Sequence, residues 1–220
     1  MLDTIEVETA ANPSAAVIWL HGLGADGSDF VPIVQELDLA GCAAIRFIFP
    51  HAATMPVTVN NGYVMRAWYD ILGADLTRRE DATGLRASQA AIEQLIAAQV
   101  AAGIPAQRIV LAGFSQGCAM TLQTGLRHSQ RLAGLLCLSG YLPLAAVTAA
   151  ERHSANQDTP IFMAHGRSDS VVPMARATDS RDLLVGLGHA VEWHDYPMPH
   201  SVCPQEIADI GTWLRRILAA

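Results

Sequence analysis

A chain of 220 residues, 51% hydrophobic and 16% charged, is long enough to bury a substantial core as one domain over residues 1–220 and too apolar for the disordered class. Its net charge of −7 and lack of a dense basic cluster argue against a nucleic-acid partner. All 14 basic residues are Arg, which excludes Schiff-base catalysis and the lysine-dependent phosphate loop.

The start, Met1-Leu2-Asp3-Thr4-Ile5-Glu6, is acidic and lacks the basic and apolar segments of a leader, so a cytoplasmic address is expected. Ala15 to Leu20 is an apolar run of strand length that ends at His21-Gly22-Leu23-Gly24. Ser28 is placed to cap a short helix to about Asp38. Ala44 to Phe49 predicts a second strand, and the pattern is then irregular from Pro50 to about Arg79. Thr83 is placed to cap a long amphipathic helix to Ala102, stopped by Gly103 and Pro105. Arg108 to Phe114 reads as a strand, Gln116 to about His128 as a helix and Leu132 to Leu138 as a strand. A strand over Ile161 to His165 and a helix from about Pro173 to Leu187 follow. Ala190 to Tyr196 and Pro204 to Leu218 are the last strand and helix. Ile109–Leu126 and Leu132–Ala150 are long and nearly uncharged, but polar residues and the Ser139 to Pro143 turn break them, so no transmembrane segment is predicted. Apolar strands alternating with helices imply an α/β fold, a mainly parallel twisted sheet covered on both faces and without a large lid domain. Ligands of such sheets bind beyond the carboxyl ends of the strands.

One pentamer carries the chemistry. Gly113-Phe114-Ser115-Gln116-Gly117 has the form Gly-x-Ser-x-Gly, in which a tight strand-to-helix turn lifts a serine above the sheet and side chains at the flanking glycines would clash. The pattern arises by chance in roughly one chain in ten, so its position between a predicted strand and a predicted helix is what gives it weight. A serine nucleophile needs a base, and the base needs a carboxylate to hold it, in the chain order Ser, acid, His. Asp169 lies just past the strand ending at His165, on the carboxyl side of the sheet, whereas Asp158 precedes it and Asp179 and Asp182 fall in a helix. His200 lies beyond the carboxyl end of the last strand, whereas His189 enters that strand and His194 lies within it. Ser115, Asp169 and His200 are therefore the catalytic candidates. The oxyanion formed on attack needs two backbone amides, here expected from Gln116 and from Leu23 in the early glycine-rich loop. His21 is expected to bond that loop's backbone rather than act as a second base.

Six segments together resemble the carboxylesterase, acyl-protein thioesterase and lysophospholipase group of small α/β-hydrolases. They are His21-Gly22-Leu23-Gly24, Trp68-Tyr69-Asp70, Gly113 to Gly117, Ser139-Gly140-Tyr141-Leu142-Pro143, His165-Gly166 with Asp169 and Val171-Val172-Pro173, and His200-Ser201-Val202-Cys203. The resemblance implies the same triad and the same two amide donors, with neither metal nor organic cofactor; a homodimer rests on family likeness only. Two departures, Cys118 where a further Gly is usual and Pro199 before the histidine, are expected to reshape the pocket edge. Trp68, Leu72, Leu142 and Val172 are the expected pocket wall, suited to an apolar acyl group.

The main reading is a carboxylesterase for small-molecule esters of short to medium acyl chains. The alternative is an acyl-protein thioesterase or lysophospholipase using the same triad, which an open apolar entrance beside Ser115 would favour. A non-catalytic binding module is the reading furthest from the complete Ser, Asp and His set. Cys42, Cys118, Cys137 and Cys203 form no Cys-x-x-Cys pair and read as reduced thiols, although an even count also permits two disulfides.

Overall fold

The uncharged runs form the middle of a seven-stranded sheet in the computed structural model, which describes residues 2–73 and 80–219. Strand β1 (Thr4–Glu8) lies at one edge and pairs antiparallel with β3 (Ile45–Pro50). Next come β2 (Ala15–Leu20), β6 (Ile109–Phe114), β7 (Gly134–Leu138), β8 (Ile161–Gly166) and β9 (Val191–Tyr196), all parallel to β3. A separate antiparallel hairpin joins β4 (Thr54–Val57) to β5 (Tyr63–Arg66).

Every side chain of β2 is buried because alternate residues enter different cores. Ile18 and Leu20 face one layer, with Leu85, Ile92, Leu95 and Ile96 of helix α2 (Ala82–Ala101), helix α3 (Gln116–Gly125) and Leu184 of helix α5 (Met174–Gly186). Val17 and Trp19 face the other, with Ile33 of the short helix α1 (Ile33–Glu36) and Ile207, Ile210, Trp213 and Leu214 of helix α6 (Pro204–Ile217). Each such side chain, fully buried, contributes about 1.5–3 kcal/mol. Helix α4 (Ala145–Glu151) follows the loop after β7. Among the described residues, no helix is long and apolar enough to cross a membrane. All four cysteines are free thiols.

Several boundaries differ from expectation. Ser28 caps no helix: its N–H and hydroxyl both donate to Asp26, and only Ile33–Glu36 is α-helical. Asp81, not Thr83, caps α2 by accepting the Gly84 N–H at 2.9 Å. No element was expected before Ala15, yet β1 pairs over five residues. The stretch from Pro50 contains the hairpin, and its end at residues 74–79 lies outside the described residues.

Candidate active site

Ser115 occupies the turn between β6 and α3 with φ 56° and ψ −115°, a left-handed backbone that an L-residue adopts only when its surroundings hold it there. The flanking glycines explain the hold. A Cβ on Gly113 would lie 2.3 Å from the Gly117 carbonyl carbon, and one on Gly117 would lie 2.1 Å from the Leu20 carbonyl oxygen. Strand β2 therefore packs directly against the start of α3.

The acid and base come from the loops after β8 and β9. The side chain of Asp169 is fully buried. Its Oδ1 accepts the N–H groups of Val171 and Val172 at 2.8 and 2.9 Å, and its Oδ2 accepts the His200 Nδ1 proton at 2.6 Å. With Nδ1 as donor, Nε2 is left to accept a proton. The Phe114 ring backs the imidazole at 4.7 Å between centroids. His200 and Ser115 line one cleft with Gly22, Leu23 and Val171. His165, a strand end and part of one family-like segment in the sequence, is a neighbour to which no role was assigned. Its Nε2–H donates to the Val172 carbonyl at 2.8 Å and lies 3.4 Å from Asp169 Oδ2, and burial pushes its pKa down. It is a neutral brace for the acid's loop.

The two expected amide donors, on Leu23 and Gln116, belong to segments tied through one residue. Gln116 Oε1 accepts the Trp68 N–H at 2.8 Å and its Nε2 donates to the Tyr69 carbonyl at 2.7 Å. The Trp68 indole N–H donates to the His21 carbonyl at 2.9 Å. His21 Nε2 accepts the Ala52 N–H, so Nδ1 carries the proton given to the Gly22 carbonyl at 2.7 Å. A neutral imidazole satisfies both bonds, and burial, the largest influence, lowers its pKa accordingly. His21 thus bonds loop backbone.

A cavity of about 650 Å³ adjoins Ser115, lined by Leu23, Tyr69, Ile71, Tyr141, Val172 and Arg176 among others. Of the expected wall, Val172 lies there and three residues do not. Trp68 is 1% exposed and faces the core, its polar groups spent on the loop ties above. Leu142 is likewise buried in the core, and Leu72 lines a smaller recess with Glu80 and Asp81. The cavity instead receives their neighbours Tyr69, Tyr141 and Ile71. Both Tyr69 and Tyr141 sit inside motif segments; no sequence signal singles out Arg176, in the first turn of α5. The departures from the family pattern fall outside the cavity too. Cys118 is fully buried against Gly140, where a Cβ would lie 2.6 Å from its sulfur, and the Pro199 carbonyl packs on Gly166. Among the described residues no group of three His, Cys, Asp or Glu side chains is arranged to hold a metal.

Comparison with known proteins gives concordant matches. The sequence model of the family described as Phospholipase/Carboxylesterase matches residues 3–218. An acyl-protein thioesterase 1 of Yarrowia lipolytica is 39% identical, covering 96% of this chain and 95% of its own length. The protein of that name in Neurospora crassa is 42% identical, covering 94% and 89%. Among solved structures, Arabidopsis thaliana SOBER1 superposes with a TM-score of 0.87 at 28% identity, covering 93% and 99%. Zea mays acyl-protein thioesterase 2 gives 0.83 at 26% identity, with full coverage of both chains.

Proposed function

Because the chain belongs to the phospholipase/carboxylesterase family of α/β-hydrolases, we propose that it is a carboxylesterase acting through an acyl-enzyme on Ser115, with His200 as base and Asp169 orienting it. The observation that carries this reading is the buried Asp169 carboxylate that fixes the His200 tautomer at 2.6 Å, on the rim where the strained Ser115 stands. In this mechanism Ser115 Oγ attacks the acyl carbon as its proton passes to His200 Nε2. The Leu23 and Gln116 amides stabilise the oxyanion, and losing one such donor costs on the order of 3 kcal/mol in the barrier. The imidazolium then protonates the leaving alcohol or thiol. Water, activated by the same imidazole, releases the acid.

A second reading, removal of thioester-linked acyl groups from proteins, is favoured by a specific feature of the cavity mouth. Val59 and Val171, which line the cavity, are 41% and 62% exposed, so an acyl chain attached to a large partner has an open apolar entrance. The relatives that carry the name acyl-protein thioesterase support the same reading.

The test is hydrolysis of 4-nitrophenyl butyrate and of an S-acylated peptide by the wild type and Ser115→Ala. Loss of both activities in a variant that melts like the wild type is expected, and the ratio of the two rates ranks ester against thioester. Full activity of Ser115→Ala on both substrates would refute the mechanism.

A further inference from the structure

The cavity beside Ser115 has one end unlike the rest. Arg176 is the charged group among its described lining residues. Its guanidinium carbon sits 5.5 Å from the centre of the Tyr141 ring, a cation–π contact, and among the described residues no acceptor takes a hydrogen bond from its N–H groups. No described carboxylate lies within ion-pair distance of it. Glu80 and Asp179 line a neighbouring recess with Arg176, but a Glu80 oxygen is engaged by the Leu144 N–H at 2.9 Å and Asp179 is exposed to solvent.

Beside Arg176 are two more donors. Tyr69 and Tyr141 also line the cavity, and their hydroxyls are 2.9 Å apart. Burial pushes both phenols up, so both keep their protons. One hydroxyl donates to the other, which leaves one phenolic proton free. A guanidinium and a spare O–H at the edge of an apolar cavity make a set rich in donors, and a carboxylate, with acceptors alone, is its complement.

The chemistry of the leaving group decides which half of the substrate meets them. That group takes a proton from His200, so it must lie on the His200 side. His200 lines the adjoining cleft, which meets this cavity at Leu23, Ser115 and Val171, so the leaving half is assigned to the cleft and the acyl half to the cavity.

We propose that the enzyme selects acyl groups that end in a carboxylate, held by Arg176 and the Tyr69–Tyr141 pair, a reading that rests on Ser115 being the nucleophile. The substrate is then a half-ester or half-thioester of a dicarboxylic acid. Ser115 Oγ bonds to the acyl carbon as the bond to the leaving oxygen or sulfur breaks. The serine proton reaches the leaving group through His200, and water releases the free diacid.

The experiment compares kcat/KM for mono-4-nitrophenyl suberate with that for its methyl-capped form, which has the same chain without the charge. A third substrate, the butyrate ester of 4-hydroxybenzoate, puts the anion on the leaving side. The wild type is expected to prefer the free acid over the capped ester by about tenfold or more. That ratio falls to near one in Arg176→Met and is partly kept in Arg176→Lys. A wild-type ratio near one, or a preference that survives in Arg176→Met, overturns the proposal. An Arg176-dependent preference for the hydroxybenzoate ester overturns it as well, by placing the anion on the other side. Ser115→Ala run on the same substrates separates the two levels: hydrolysis that persists there sinks the nucleophile assignment itself.

Discussion

Trp68 shows how one buried side chain can govern a site it does not line. Its indole N–H holds the His21 carbonyl, its backbone N–H is held by Gln116, and its carbonyl accepts the Ser88 hydroxyl. The segments bearing both expected oxyanion donors are therefore set relative to each other through this residue. Trp68→Phe removes the bond to His21 while keeping most of the volume. Losing a whole donor costs 100- to 1000-fold in kcat, so a misplaced one is expected to lower kcat by about tenfold with KM little changed. Steady-state kinetics on 4-nitrophenyl butyrate check this. A raised KM at unchanged kcat would instead make Trp68 a pocket wall, the role its position in a sequence motif first suggests. The three triad candidates could be proposed from the sequence because their chemistry demands particular residue types at particular strand ends. The wall could not, because Trp68 and Tyr69, or Tyr141 and Leu142, are alternatives that only the direction of each side chain separates.

At the scale of elements, the turn at Ser115 depends on how closely β2 approaches α3. Gly117→Ala would drive a methyl group into the Leu20 carbonyl, a contact of 2.1 Å that neither backbone can yield without moving the strand or the helix. The expected cost is about 3 kcal/mol or more, as for overpacking at a rigid site. Thermal unfolding checks it, and an unchanged midpoint would show that the turn is looser than described. The central strands were readable because burial on both faces leaves continuous apolar runs such as Ala15–Leu20 and Ile109–Ala112. The edges were not. Strand β1 alternates half-buried Ile5 and Val7 with acidic residues, and the β4–β5 hairpin exposes Tyr63 and Val64, so neither carries the core signal. The start of α2 lies two residues before the sequence's expectation because Thr83 and Asp81 are both capping types, and only Asp81 reaches the Gly84 amide.

For the molecule as a whole, one buried carboxyl group ties stability to pH. Glu206, in the first turn of α6, is fully buried, and neither carboxylate oxygen has a well-formed hydrogen bond. Burial outweighs the Cys203 backbone amide and pushes its pKa up to about 8 from 4.5. The folded state thus keeps a proton that the unfolded chain has already released, and stability falls as pH rises across that window. The full penalty, reached above about pH 8, is at most roughly 5 kcal/mol. Glu206→Gln fixes the neutral form. Between pH 5 and pH 8.5 the wild type is expected to lose about 10 °C more in melting temperature than the variant. Parallel pH profiles would show that the carboxylate finds partners when charged. The two cores, which meet through the shared strands, keep the rims of β6, β8 and β9 in fixed relation, and the proposed catalysis depends on that relation. Its most direct measurement is labelling with a fluorophosphonate, followed by mapping of the adduct by mass spectrometry. The expected result is a single adduct on Ser115, formed at least a hundredfold more slowly in His200→Gln. An adduct on another residue, or labelling indifferent to His200→Gln, would contradict the account.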